Sequence, residues 1–254
     1  MNKSALVTGA GSGLGRSIVC RLANAGYDVG IHTGSNEARA YELAKQVMRN
    51  SNCRAEVIIS DFSKENGAGE LFEQYKQKFE SLDLFINNAG VSLHGKILDM
   101  TEELYDQINN INFKNAYFSV QEAARLMIEK KTSGHIVLIS SNHHATVMTG
   151  MSCYAITKES LVKYTKHAAM EFARYGIRVN CLAPGWVNTG EDRMKDKFEK
   201  SVGKIPMHRW VEPEEIAEWI LFMTGANGAS LTGAVIDLDG GVRLMSGGPE
   251  AYGL

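Results

Sequence analysis

The sequence predicts an α/β fold: a doubly wound parallel sheet with helices on both faces. Three observations carry that prediction. Strand-like and helix-like segments alternate along the chain, an order that implies a parallel sheet covered on both sides. A glycine-rich turn joins the first strand to the first helix. Punctuating motifs then fall at the carboxyl end of one strand after another, where such sheets bind ligands. No linker, low-complexity tract or internal repeat divides the 254 residues, so one domain spanning 1–254 is expected.

The elements follow in order. Ser4–Thr8 reads as a short buried strand, and Gly9-Ala10-Gly11-Ser12-Gly13-Leu14-Gly15 follows at once. Ile18, Val19, Leu22 and Ala23 then recur at helical spacing up to Gly26, a natural helix stop. Strand, glycine turn, helix is a phosphate-binding layout, because bare backbone N–H groups and a helix N-terminus face the anion. The spelling is T-G-x-x-x-G-x-G through Thr8, Gly9, Gly13 and Gly15; a flexible glycine loop reads the same way in isolation. Strands are expected at Tyr27–Thr33, Ala55–Ser60, Leu82–Ile86, His135–Ser140, Ile177–Leu182 and Val235–Leu238. Helices are expected at Asn36–Arg49, Gly69–Phe79, Glu102–Ile108, Asn115–Ile128, Ser152–Arg174 and Glu214–Met223, the last opened by Pro213 and acidic residues. Asp61-Phe62, Asn87–Gly90, Ser140-Ser141 and Pro184-Gly185 punctuate the strand ends. That coincidence favours one shared site.

Composition narrows the function. Hydrophobic content of 44% and charged content of 22% are ordinary for a packed domain. A net charge of -2 supplies no electrostatic reason to bind nucleic acid or an anionic membrane. The cysteines at 20, 53, 153 and 181 lack metal-ligand spacing and read as free thiols in a reducing compartment. No metal centre is expected. With no apolar run near 18 residues and no basic leader, a soluble cytoplasmic protein is expected.

Within Ser152–Arg174, Tyr154 and Lys158 stand at i and i+4 and share a helix face. An isolated phenol titrates near ~10, and a neighbouring ammonium favours the phenolate. The pair is therefore a candidate general acid/base. Taken alone it is also an ordinary neighbour pair on a solvated face.

The order and spacing of these motifs resemble the short-chain dehydrogenase/reductase family nearly end to end. The match runs from Thr8–Gly15 through Asn87–Gly90, Ser141, Tyr154–Lys158 and Pro184–Thr189 to Asp239–Gly241. Ile205-Pro206-Met207-His208-Arg209 and Glu212-Pro213-Glu214-Glu215-Ile216 resemble the branch of 3-oxoacyl-(acyl-carrier-protein) reductases and sugar or polyol dehydrogenases. The resemblance implies a Rossmann-like fold, NAD(P)(H), and a catalytic tetrad of Asn112, Ser141, Tyr154 and Lys158. Ser141, thirteen residues before Tyr154, is selected over Ser140 by the family interval. Tyr154 would give a proton to the developing alkoxide and Ser141 would hydrogen-bond the same oxygen. Lys158 would lower the tyrosine pKa and grip the nicotinamide ribose, and Asn112 would anchor a water. A turn hydroxyl at Ser141 and a local cap at Asn112 are the simpler accounts of either residue alone.

The resemblance also assigns the dinucleotide contacts: Gly9, Ser12, Gly13, Leu14 and Gly15 to the pyrophosphate, and Asp61 and Phe62 to adenine. Asn88, Ala89 and Gly90 would line the adenosine side. Val187 and Thr189, beyond Pro184 and Gly185, would reach the carboxamide and phosphates. Asn87–Gly90 reads equally as a structural tie between strand ends. NADP(H) is favoured over NAD(H), because Thr33 stands at the end of the second strand and no carboxylate occurs before Glu37. Against that, the glycine turn carries Ser12 where the family usually has a basic residue, leaving Arg16 and Arg39 as substitutes.

Substrate signals are sparse. His143 and His144 read as solvated loop residues at the pocket edge. His94, Trp186 and the segment 188–204 occupy the family's variable substrate lid. Lys130, Lys131 and Arg174 read equally as a carrier-protein patch and as solvated helix ends. The leading reading is a reductase of ketones or 3-oxoacyl thioesters, followed by a sugar or polyol dehydrogenase and then a non-catalytic dinucleotide sensor. A homotetramer is expected. Its helices Asn115–Ile128 and Ser152–Arg174 would pair across one twofold axis, with Leu161, Val162, Ala169 and Phe172 as surplus apolar positions.

Overall fold

The computed structural model describes residues 2–11, 13–190 and 201–245. Seven strands form one parallel sheet in the order β3-β2-β1-β4-β5-β6-β7. The strands are β1 (Ser4–Val7), β2 (Asp28–Thr33), β3 (Ala55–Ile59), β4 (Leu84–Asn87), β5 (His135–Ile139), β6 (Arg178–Pro184) and β7 (Val235–Leu238). The helices are α1 (Gly13–Asn24), α2 (Glu37–Asn50), α3 (Gly67–Lys78), α4 (Glu102–Asn109), α5 (Asn115–Glu129), α6 (Ser152–Phe172) and α7 (Pro213–Thr224). The strand order reverses between β1 and β4, which opens the switch-point crevice above their carboxyl ends.

Two cores flank the sheet. Val7, Ile18, Leu22, Ile31, Leu43 and Ile216 bury one face beneath α1, α2 and α7. Leu6, Phe72, Phe85, Val120, Leu138 and Leu161 bury the other beneath α3, α5 and α6. Alternate residues of β1 serve opposite cores, so the central strands are apolar throughout. Each fully buried Leu, Ile or Phe contributes roughly 1.5–3 kcal/mol.

Several boundaries differ from the sequence expectation. α3 begins at Gly67 rather than Gly69 because the Asn115 Oδ1, from α5, accepts from Ala68 N at 2.8 Å and caps the helix from outside. β6 runs on to Pro184, paired with Leu238, and Gly185 N donates to Leu238 O at 2.9 Å. Proline is tolerated as the terminal residue of this strand. α6 stops at Phe172, and a 3-10 turn (Ala173–Tyr175) leads to Gly176 at φ 74. Asn112 sits in a π-helical turn, Asn110–Lys114, between α4 and α5.

Leu161, Val162 and Ala169, expected as surplus apolar positions, belong to the core under the sheet, with Phe172 packed at its edge. The exposed apolar groups lie elsewhere on α5 and α6: Tyr117, Phe118, Ile128, Ile156 and Met170. Lys130 pairs with Glu129 at 3.1 Å and the Arg174 guanidinium stacks over the Tyr175 ring, local contacts typical of helix ends. Among the described residues no helix is long and apolar enough to cross a membrane.

Candidate active site

The glycine turn takes its shape from β4. Thr8 Oγ1 accepts from Asn88 N at 3.0 Å and Ala89 N at 2.9 Å, while Asn88 Nδ2 donates to the carbonyls of Thr8 and Gly9. Gly9 has φ +63, and a Cβ there would lie 2.8 Å from Ala89 Cα. At Gly15 a Cβ would lie 2.5 Å from the Gly9 carbonyl. Glycine is required at both by backbone approach. Gly13 has φ +55, and a Cβ there would lie 3.4 Å from Thr189 Cγ2, so the segment beyond β6 comes close to the turn. Leu14 packs against the core below. Ser12, Glu191–Lys200 of the expected lid and the tail from Ser246 lie outside the described residues.

His32, which the sequence reading passed over, is a buried brace for this turn. Its Nδ1 accepts from Gly9 N at 3.2 Å and its Nε2 donates to Ser60 O at 3.0 Å. Burial pushes the ring's pKa down to about 4, opposed by the Ser60 bond. The neutral ring therefore links the ends of β1, β2 and β3. Its one sequence signal is a polar residue inside the otherwise apolar end of β2.

His32 also changes the picture of Asp61 and Phe62. The Phe62 ring stacks on His32 at 4.5 Å between centroids and is buried. The stack occupies one face of the Phe62 ring. Asp61 Oδ1 accepts from Ser63 N and Ser63 Oγ at 2.9 and 2.7 Å, which holds its carboxyl below the usual range. Thr33 is buried, and its Oγ1 accepts from Asn36 N at 3.1 Å. The groups left exposed after β2 are Gly34 to Arg39, with Ser35, Asn36 and Arg39 among them.

The second half of the site gathers at the ends of β4 and β5. Ser140 Oγ donates to Lys158 O at 2.8 Å, which fixes α6 against β5. Ser141, the next residue, accepts from His143 N at 3.3 Å, and its hydroxyl lies close enough to the Tyr154 phenol to favour the phenolate. Lys158 is buried, its Nζ donating to Ile139 O at 3.0 Å and lying 5.7 Å from the Tyr154 ring centroid. A Cβ on Gly90 would sit 3.2 Å from the same Nζ, so this glycine leaves room for the ammonium.

Electrostatics here depart from the sequence expectation. Burial raises the Tyr154 phenol above its ordinary value and outweighs the Ser141 hydrogen bond, which acts the other way. Burial also pushes Lys158 down to about 8. The low local dielectric disfavours both charged forms.

Asn112 is fully buried and clamps Val91 at both main-chain atoms: Oδ1 accepts from Val91 N at 2.8 Å, and Nδ2 donates to Val91 O at 2.9 Å. Its second amide proton goes to Thr157 Oγ1 at 3.2 Å. Both side-chain N–H groups are spent on the scaffold, and the clamp joins the β4 loop to α6. The histidines expected to be solvated are also packed. His143 lies edge-on to the Tyr154 ring at 5.7 Å, and the His144 side chain is only 10% exposed.

This chain therefore places a glycine cradle and a Ser–Tyr–Lys cluster along one crevice. The glycine turn leads into the N-terminus of α1 at the sheet's carboxyl end, a layout that fits a dinucleotide phosphate. The bridge between Val187 and Val211 fixes the far wall.

Residues 9–243 match a family profile described as Enoyl-(Acyl carrier protein) reductase. The 3-oxoacyl-(acyl-carrier-protein) reductase FabG of Staphylococcus epidermidis is 31% identical over 249 residues, covering 96% of this chain and 100% of that protein. A diacetyl reductase, (S)-acetoin forming, of the same species is 33% identical over 258 residues, covering 95% and 99%. Among solved structures, acetoin dehydrogenase YohF from Salmonella typhimurium superposes with a TM-score of 0.88 at 33% identity, covering 96% and 98% of the two chains. The angucycline C-6 ketoreductase LanV with bound NADP gives 0.88 at 28% identity, covering 96% of each. The sheet order, the crevice and these full-length likenesses converge: the chain belongs to the short-chain dehydrogenase/reductase family, oxidoreductases that act on CH–OH/C=O groups with NAD(P).

Proposed function

We infer that this enzyme reduces a ketone, borne by a small diketone or hydroxyketone or by a 3-oxoacyl thioester, with NADP(H) as the favoured cofactor. The observation that carries it is the gathering of Ser141, Tyr154 and the buried Lys158 at the ends of β4 and β5. The bound nicotinamide supplies the hydride that reaches the carbonyl carbon. Tyr154 gives its phenolic proton to the carbonyl oxygen as negative charge develops there. Ser141 hydrogen-bonds that oxygen and holds it at the phenol. The Lys158 ammonium stabilises the phenolate left behind and reaches the ribose; its buried position makes that charge effective at short range. Asn112 keeps the Val91 loop and α6 in register.

The mouth of the site favours a ketone or acyl substrate over a polyol. Loops 91–98 and 145–150 leave the ends of β4 and β5 and are joined by Gly95 N donating to Gly150 O at 2.9 Å. They present Ile97, Leu98, Val147 and Met148 to solvent, and none of these matches the hydroxyls of a sugar. NADP(H) is supported by the absence of a carboxylate at the end of β2 and by the exposed Ser35, Asn36 and Arg39. The NADP named for LanV is consistent with it.

A homotetramer is part of this reading. Tyr117 stacks on Tyr164 at 4.4 Å on the outer face of α5 and α6, beside a groove of about 540 Å³ that includes Phe113, Ile128 and Phe172. Trp219 and Phe222 expose a second aromatic pair on α7. Apolar surface of this kind marks protein contacts.

The test is a rate panel with NADPH and NADH against diacetyl, acetoin, acetoacetyl thioesters and hexoses, with sedimentation at micromolar concentration alongside. Turnover of a diketone or thioester supports the reading. Turnover of hexoses alone replaces it with the polyol reading, and silence despite tight dinucleotide binding replaces it with a sensor. A monomeric mass refutes the oligomer.

A further inference from the structure

The residues after Ser141 form a charged cluster that the chemistry above does not use. The turn Asn142–His144 starts from Ser141, whose Oγ accepts from His143 N at 3.3 Å and whose carbonyl accepts from His144 N at 3.0 Å. A three-residue 3-10 turn has poor internal hydrogen bonding, so its orientation is set by what its last residue grips. His144 grips two elements. Its Nδ1 lies 3.3 Å from Glu159 Oε2 on α6, and its Nε2 lies 2.9 Å from Asp237 Oδ1 on β7. Arg243 holds the other Asp237 oxygen at 2.8 Å. Glu159 is the residue after Lys158, so the bridge reaches the helix that carries Tyr154 and Lys158.

We propose that His144 is a positioning residue: by bridging Glu159 and Asp237 it fixes the Ser141 hydroxyl in register with the Tyr154 phenol. The proposal rests on the roles of Ser141 and Tyr154 inferred above. A serine carried on an unanchored turn drifts relative to the phenol, and a displacement of ~1 Å at a reacting group costs on the order of 10²-fold in rate.

The experiment is a double-mutant cycle of Ser141→Ala, His144→Ala and the pair. It reads kcat and KM on the best ketone substrate, dinucleotide Kd by fluorescence titration, and melting temperature. His144→Ala is expected to lower kcat about tenfold or more, with KM and dinucleotide Kd within about twofold. Adding it to Ser141→Ala should cost nothing further, because no hydroxyl is left to position. Glu159→Ala, at a more exposed partner, should lower kcat about threefold or more and decides the matter if His144→Ala does not fold. A kcat within about twofold of wild type in the deciding variant, or losses that multiply in the double variant, overturns the proposal. Wild-type kcat in Ser141→Ala alone overturns instead the Ser141 assignment on which it rests.

Discussion

Lys158→Met should make the protein more stable while removing its activity. The ammonium is buried beneath Tyr154, with a pKa lowered from 10.5 to about 8. At about 1.4 kcal/mol per unit, that gap means roughly 3 kcal/mol set against folding while the lysine is charged. Methionine fills similar volume but loses the charged hydrogen bond to the Ile139 carbonyl, worth about 2 kcal/mol. The net gain is roughly 1 kcal/mol at pH 7, or about 2–4 °C for a chain of this size. The gain depends on pH in a defined way. Below pH 8 the lysine is charged in both folded and unfolded chains and the full penalty applies. Between pH 8 and 10.5 the folded lysine is neutral while the unfolded one still binds its proton, so wild type recovers stability as pH rises. Melting curves of the two proteins from pH 7 to 10 should converge. A gap that does not change with pH, or a less stable variant at pH 7, would refute the reasoning.

Tyr154→Phe should lower kcat by ~10²–10⁴-fold with dinucleotide affinity retained, since the hydroxyl is the proposed proton donor; more than a tenth of wild-type kcat would remove that role. Thr33→Asp should move preference from NADPH toward NADH, read as the ratio of kcat/KM values, and a ratio left unchanged would show that the end of β2 does not select the cofactor. Gly9→Ala should weaken dinucleotide binding and lower the melting temperature, because its φ is +63 and the new Cβ meets Ala89. His32 and His135, lowered by burial to about 4 and about 3, contribute stability that is complete above pH 6.5 and lost as pH falls toward those values. His32→Asn should flatten part of that acid slope in denaturant midpoints.

The sequence disclosed the parallel sheet and the crevice because alternation, glycine spacing and strand-end motifs are written along the chain. It separated Ser141 from Ser140, and the structure shows Ser140 spent on the Lys158 carbonyl. What it did not disclose depends on partners distant in sequence. The stack of Phe62 on His32 joins the ends of two strands that lie apart in the sequence. Leu161 and Val162 look surplus until the sheet is placed over them. Adjacent histidines resemble a solvated loop until Asp237, 93 residues on, is found beside His144. Spacing reveals the lysine near Tyr154 but not the burial that raises the phenol.

The π-helical turn between α4 and α5 has a mechanical consequence. Its wider pitch admits one residue more than an α-helical turn, which rotates the following helix by about 100°. That single rotation lets two amides of one continuous rod face opposite ends of the crevice. Asn112 grips Val91 and Thr157 at the reacting end, whereas Asn115 holds the carbonyls of Phe62 and Lys64 at the far end and Asn110 reaches Ser63. The bulge thus acts as a shared lever between distant loops. Deleting one residue from Asn110–Lys114 would restore a regular helix and swing Asn115 away from its partners, so a change of one in chain length here would disturb both ends of the crevice together, where most point substitutions would disturb one.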